Sequence, residues 1–204
     1  MTGKFDMTKT LIGLVALLLT TSPMTQAAPS AAEFHRKVYQ LHEQEIAKRP
    51  TKTEQEKGQY EGVAAGSYGY VETRYLDAET GRLISRVRRD AKDPTSIHIA
   101  EVNLYDERGR VTRDYGSIAL PWSSSTPVRT FINLHHYDGE LHSFRQYDID
   151  GKVGYEFCEG TLNGKRERLS VDGSDITAQL TATPLYRACF AGMTQRFSDF
   201  VNPH

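Results

Sequence analysis

Residues 131–158 read FINLHHYDGELHSFRQYDIDGKVGYEFC. Two turn signals divide this stretch into three short strands. Asp138-Gly139 reads as a two-residue hairpin loop, and Asp148-Ile149-Asp150-Gly151 as a tight turn in which Asp bonds its own backbone and Gly accepts the positive φ. Apolar residues alternate with polar ones on either side, as half-buried strands require. Two hairpins in sequence, ending on a cysteine, predict an antiparallel meander, and the rest of the chain extends the same texture.

N-terminal to this stretch, residues 68–76 alternate as a strand, and residues 77–81 (DAETG) form a turn. The return strand is 82–90, with Leu83, Ser85 and Val87 on one face. Lys92-Asp93-Pro94 turns the chain again into residues 97–105. There Ile97 and Ile99 fall in one phase and Val102 and Leu104 in the other, which predicts a bulge near Ala100-Glu101. Residues 120–127 (LPWSSSTP) read as a loop holding the only tryptophan. C-terminal to the stretch, Asn163-Gly164 marks another two-residue hairpin, with its return strand over 165–171.

Two turns share a pattern. Tyr105-Asp106-Glu107-Arg108-Gly109-Arg110-Val111 and Tyr147-Asp148-Ile149-Asp150-Gly151-Lys152-Val153 both follow Y-D-x-x-G-[R/K]-V. Looser versions occur at Tyr75-Leu76-Asp77 and Tyr137-Asp138-Gly139. The two copies resemble YD-repeat (RHS-type) hairpins. That resemblance implies short antiparallel strands joined by tight turns and carries no activity with it.

The expected fold is therefore α+β, mainly β: an antiparallel meander or partial barrel of about eight strands. A C-terminal helix packs on it. Ser174 is placed to cap a short helix reaching Leu180, and Thr183 caps the next, with Pro184 at its first position. Tyr186, Cys189, Phe190, Met193, Phe197 and Phe200 then form one apolar stripe facing the sheet. At the other end, residues 31–48 read as a helix with Phe34, Val38, Leu41 and Glu45 on one face, ended by Pro50. The polar run 51–58 (TKTEQEKG) reads as a linker, so this helix is expected to stand apart from the sheet.

The first residues read as an export signal. Lys4 and Lys9 precede the apolar run 11–20 (LIGLVALLLT), and small residues follow near Ala27. The run is too short to span a membrane, which takes about 20 residues. The expected organisation is a signal peptide over 1–27, the helix and linker over 28–58, and the β domain with its C-terminal helices over 59–204. This predicts a periplasmic or secreted protein that does not span the membrane once the signal is removed. The formal net charge of −1 gives no basic excess, so nucleic acid is not an expected partner.

Export also bears on the cysteines. Cys158 and Cys189 are the only two in the chain. An even pair in an oxidising compartment reads as a disulfide, which would tie a strand to the last helix.

The histidine-rich tip is the one constellation with ligand chemistry. If Asp138-Gly139 is the loop, His135 and His142 lie directly opposite on one face, with Glu140 near by. Imidazole and carboxylate suit zinc or copper. The opposite face would hold Ile132, Leu134, His136 and Leu141. No G-x-S-x-G, phosphate-cradling loop or CxxC is present. The arginines of the early strands are interleaved with acids, as on a solvated face. The expectation is a non-enzymatic binding or interaction module of the cell envelope, taking an envelope protein or glycan through a sheet face or the Trp122 loop. The alternative is a metal-binding protein or metallohydrolase at His135, His142 and Glu140.

Overall fold

The computed structural model describes residues 29–60, 68–120, 122 and 129–203. The segment read as an export signal and most of the 120–127 loop lie outside the described residues. Nine strands run in chain order: β1 (Thr51–Gln59), β2 (Gly69–Asp77), β3 (Leu83–Asp90), β4 (Ile97–Tyr105), β5 (Val111–Ile118), β6 (Arg129–Asp138), β7 (Leu141–Tyr147), β8 (Val153–Leu162) and β9 (Lys165–Asp172). Each pairs antiparallel with the next, forming one sheet of order β1 to β9. The sheet is a meander, as expected, but it is open. β1 and β9 are its two edges, so it is not a partial barrel.

Turn chemistry sets these connections. Asp106 and Asp148 each accept the backbone N–H four residues on, from Arg110 and Lys152. Gly109 and Gly151 take φ of 75° and 80°, the left-handed region that a side chain disfavours. Asn163 and Gly164 both have positive φ, as a type I′ hairpin needs, and Leu162 pairs with Lys165.

The run 51–58, read as a linker, is strand β1. Its side chains are nearly all exposed, so the sequence has no reason to alternate. Backbone pairing with β2 over nine residues holds it in place. The bulge expected near Ala100-Glu101 lies slightly earlier, where Arg88 pairs with Ile99 but Arg89 pairs with Ile97. The extra residue is His98. It lets Ile97 join the same core cluster as Val102 and Leu104.

The N-terminal helix does not stand apart. α1 (Ala31–Ala47) is capped by Ser30, whose side chain accepts from the Glu33 N–H. Its Phe34, Val38 and Leu41 are fully buried against Ala100, Val102, Tyr115, Ile132 and Leu134. Each such side chain contributes roughly 1.5–3 kcal/mol by leaving water. An amphipathic stripe of this size needs a partner, and one face of β3–β6 supplies it.

The C-terminal segment covers the remainder of that face. Thr177, rather than Ser174, caps α2 (Ala178–Thr181). Thr183 caps α3 (Pro184–Phe190), with Pro184 in its first turn. The expected long helix stops at Phe190. Phe200 reaches the core through a short 3-10 turn, Phe197–Asp199, and packs with Val201 beneath α1. The Cys158–Cys189 disulfide is present and sits in a second apolar cluster with Leu141, Tyr186 and Phe190.

Candidate functional site

Strand alternation gives the sheet two unlike faces. One carries Val87, Val102, Tyr115, Ile132 and Leu134 and is covered by α1 and the C-terminal segment. The other carries Asp114, Asn133, His135, Tyr137, His142, Phe144 and Gln146, and no described helix packs on it. Its side chains are half-buried because they pack on one another.

The histidine pair lies on this uncovered face. The hairpin register differs from the expected one. Asp138 pairs with Leu141, so Gly139-Glu140 form the loop and His142 lies opposite Tyr137. Gly139 has φ of 55° at the first loop position, the requirement of a type II′ turn, while Asp138 remains in the strand. The shift moves each strand by one residue and leaves every side chain on its expected face.

His135 and His142 are thus diagonal neighbours and still meet. Their rings are parallel within 7°, with centroids 5.2 Å apart. His135 Nδ1 is 2.9 Å from His142 Nε2. On its other side, His135 Nε2 lies 2.7 Å from Asp114 Oδ2. An ionised Asp114 only accepts, so His135 donates from Nε2. In the neutral imidazole its Nδ1 is then the acceptor for the His142 Nε2–H. Asn133 Nδ2 donates to the other Asp114 oxygen at 2.8 Å, and Gln146 Nε2 donates to Asn133 Oδ1 at 3.1 Å. Five polar side chains from β5, β6 and β7 therefore form one ordered network.

Rings flank it. Tyr137 stacks on His142 at 4.6 Å, Phe144 sits 5.6 Å from His135, and Phe157 lies 5.5 Å from Phe144. Phe131 lies across Gly116, where a Cβ would fall 1.8 Å from the ring. Gly116 thus lets an aromatic ring rest against the strand. Burial, and then the neighbouring His135, lower the His142 pKa, with Glu159 opposing. His142 is therefore neutral at pH 7.

The expected metal ligands are not gathered around a point. Asp114, His135 and His142 form a line, with the acid and the second histidine on opposite nitrogens of His135. Glu140 occupies the exposed hairpin loop, and the acid bonded to His135 is Asp114. Among the described residues no three His, Cys, Asp or Glu side chains are arranged to hold a metal ion. His136 is on the covered face, close beneath Gly192.

Trp122, the other residue singled out in the sequence, packs edge-on against Tyr60 at 4.8 Å and near Tyr68 at 5.3 Å. It belongs to a separate aromatic group at the far end of the sheet. There Tyr70 overlies Gly58, and the Arg88 guanidinium sits 4.0 Å from the Tyr70 ring centre. Asp114, Asn133 and Gln146 carry no motif and become visible only once strand register is known. Comparison with known protein families, with curated proteins and with solved structures finds no match.

Proposed function

We propose that this chain is a non-enzymatic binding protein of the cell envelope and that its ligand is a glycan lying on the uncovered face of the sheet. The observation that carries this reading is the Asp114–Asn133–His135–His142–Gln146 network on a face that no described helix covers. Planar polar groups fixed in place at an exposed surface match the hydroxyl edges of a sugar. Phe131, held against Gly116, and Phe144 supply apolar area for its ring face. Fixing the groups before the ligand arrives lowers the ordering cost of binding.

The test is retention on isolated cell-wall glycan and on a panel of soluble envelope polysaccharides. Phe131→Ala and Asn133→Ala are expected to weaken retention without unfolding the protein. Absence of retention on every glycan, or equal retention by the variants, overturns the reading.

A second reading is metal binding, favoured by the Asp114 carboxylate behind His135. Such a carboxylate orients a ligating imidazole and raises its basicity. Zinc or copper would be held by the imidazoles of His135 and His142, whose nitrogens would first have to part from the 2.9 Å hydrogen bond they share. This reading requires stoichiometric metal in the purified protein, lost in His135→Ala and His142→Ala. Metal content at background removes it.

A further inference from the structure

A cleft lies elsewhere, at the end of the sheet where α1 stops. Its volume is about 500 Å³, within the range of small-molecule sites. Its walls come from the last turn of α1, from β2, and from the β3, β4 and β5 ends near the 106–110 turn.

Charge in this cleft is unevenly matched. The cations are Lys48, Arg49, Arg82 and Arg113, and the acids are Glu45, Asp77 and Asp106. The acids are already engaged. Glu45 pairs with Lys48 and Arg49. Asp77 accepts the N–H groups of Glu79 and Thr80 and lies 3.7 Å from Arg49. Asp106 accepts from the Arg110 backbone and guanidinium. Those turn N–H bonds, first among the causes, lower the pKa of both Asp77 and Asp106, so both remain ionised and committed to their turns.

Arg82 and Arg113 are left with neutral company. The Arg82 guanidinium lies over Gly109 and 5.9 Å from the Tyr105 ring centre. Arg113 donates to the Tyr115 hydroxyl at 3.1 Å and to Gln195 Oε1 at 3.3 Å. Two guanidiniums bordering one cleft without a carboxylate partner among the described residues favour an anion, because charge-assisted bonds to an oxyanion are the strongest that guanidinium forms.

We infer that this cleft is a binding site for a small oxyanion-bearing molecule, a carboxylate or a phosphate, held between Arg82 and Arg113. It is independent of the uncovered face. Purified protein titrated at constant ionic strength with inorganic phosphate, and separately with citrate, tests it by thermal melting and backbone amide shifts. At least one probe should raise the melting midpoint saturably, with shifts concentrated at Ile84, Gly109 and Thr112. The stronger probe tells phosphate from carboxylate. Arg82→Ala should weaken binding by about tenfold or more. Arg82 is exposed and its side chain makes no hydrogen bond among the described residues, so this variant is expected to fold. Arg113→Gln should weaken it similarly. Arg74→Ala, at an exposed arginine paired with Glu54 away from the cleft, should bind as the wild type does. No saturable response to either probe overturns the site. So does an Arg82→Ala protein that binds as tightly as wild type, or an Arg74→Ala protein that loses binding to the same degree.

Discussion

The Tyr115 hydroxyl donates a 2.8 Å hydrogen bond to the Phe200 carbonyl. Both residues are essentially fully buried, and 85 positions separate them. The bond fixes the last turn of the chain to the middle of the sheet, directly beneath α1. Tyr115→Phe keeps the ring and leaves a buried carbonyl unpaired. It should cost about 1–2 kcal/mol in urea unfolding. Amide exchange should quicken at Val201 more than in β5. An unchanged midpoint would show that the carbonyl finds another partner.

Acid should destabilise the fold through its buried histidines. His42 bonds the Ser85 hydroxyl at 2.7 Å, and its pKa is lowered to about 4, first by burial and then by Arg89. In the unfolded chain it titrates at about 6.5. Between those values the unfolded state binds a proton that the folded state refuses. The stability held by neutral His42 is complete above about pH 6.5 and is lost as pH falls toward 4, on the order of 3 kcal/mol in all. Burial lowers His35 and His98 in the same direction. Urea unfolding at steps from pH 7 to 4 should show this decline, and His42→Gln should make it shallower. An unaltered slope in that variant would assign the effect elsewhere.

Breaking the disulfide should loosen one end of the molecule first. Cys158 and Cys189 close a loop across 31 positions, and the cross-link contributes roughly 3–4 kcal/mol in the chain-entropy picture. The Ser143 hydroxyl also donates to the Cys189 carbonyl at 2.6 Å, anchoring α3 to β7. In Cys158→Ala/Cys189→Ala, hydrogen exchange should accelerate in α2 and α3 before it does in α1. Uniform acceleration would mean that the cap and sheet unfold together.

Glu156 is fully buried on β8, where it accepts from Arg145 and from the Tyr186 hydroxyl. Removing the cation strands that charge. Arg145→Ala should destabilise by about 3–5 kcal/mol, whereas Arg145→Ala combined with Glu156→Gln should recover part of the loss. Thermal melts of the single and double variants measure the coupling, and strict additivity would refute it.

Parts of this fold were legible before any coordinates because their causes are local. Asp106/Gly109, Asp148/Gly151 and Asn163-Gly164 specify their turns through side-chain bonds and positive φ, which neighbouring residues cannot override. β1 was not legible, because an edge strand exposed on both sides has no reason to alternate. The docking of α1 depends on a sheet face assembled from β3 to β6, far along the chain, and only the helix's own stripe is written in residues 31–47. His135 and His142 were found, though by a register one residue off on each strand, since Asp-Gly fits either loop frame until Gly139 is seen at the first loop position. Asp114 and Asn133 join them only through the pairing of β5 with β6.

The strictly sequential order of the strands has a kinetic consequence. Each strand's partner is the next one along the chain, so the sheet can lengthen hairpin by hairpin, with little loop entropy to overcome at any step. The core behaves differently. α1 is made before the sheet, yet the cluster it sits in includes Phe200 and Val201, which follow the last strand. The sheet can therefore grow during synthesis, while the helix stays incompletely packed until Phe200 and Val201 arrive. Loss of Phe200 and Val201 would leave that final step without its closing side chains.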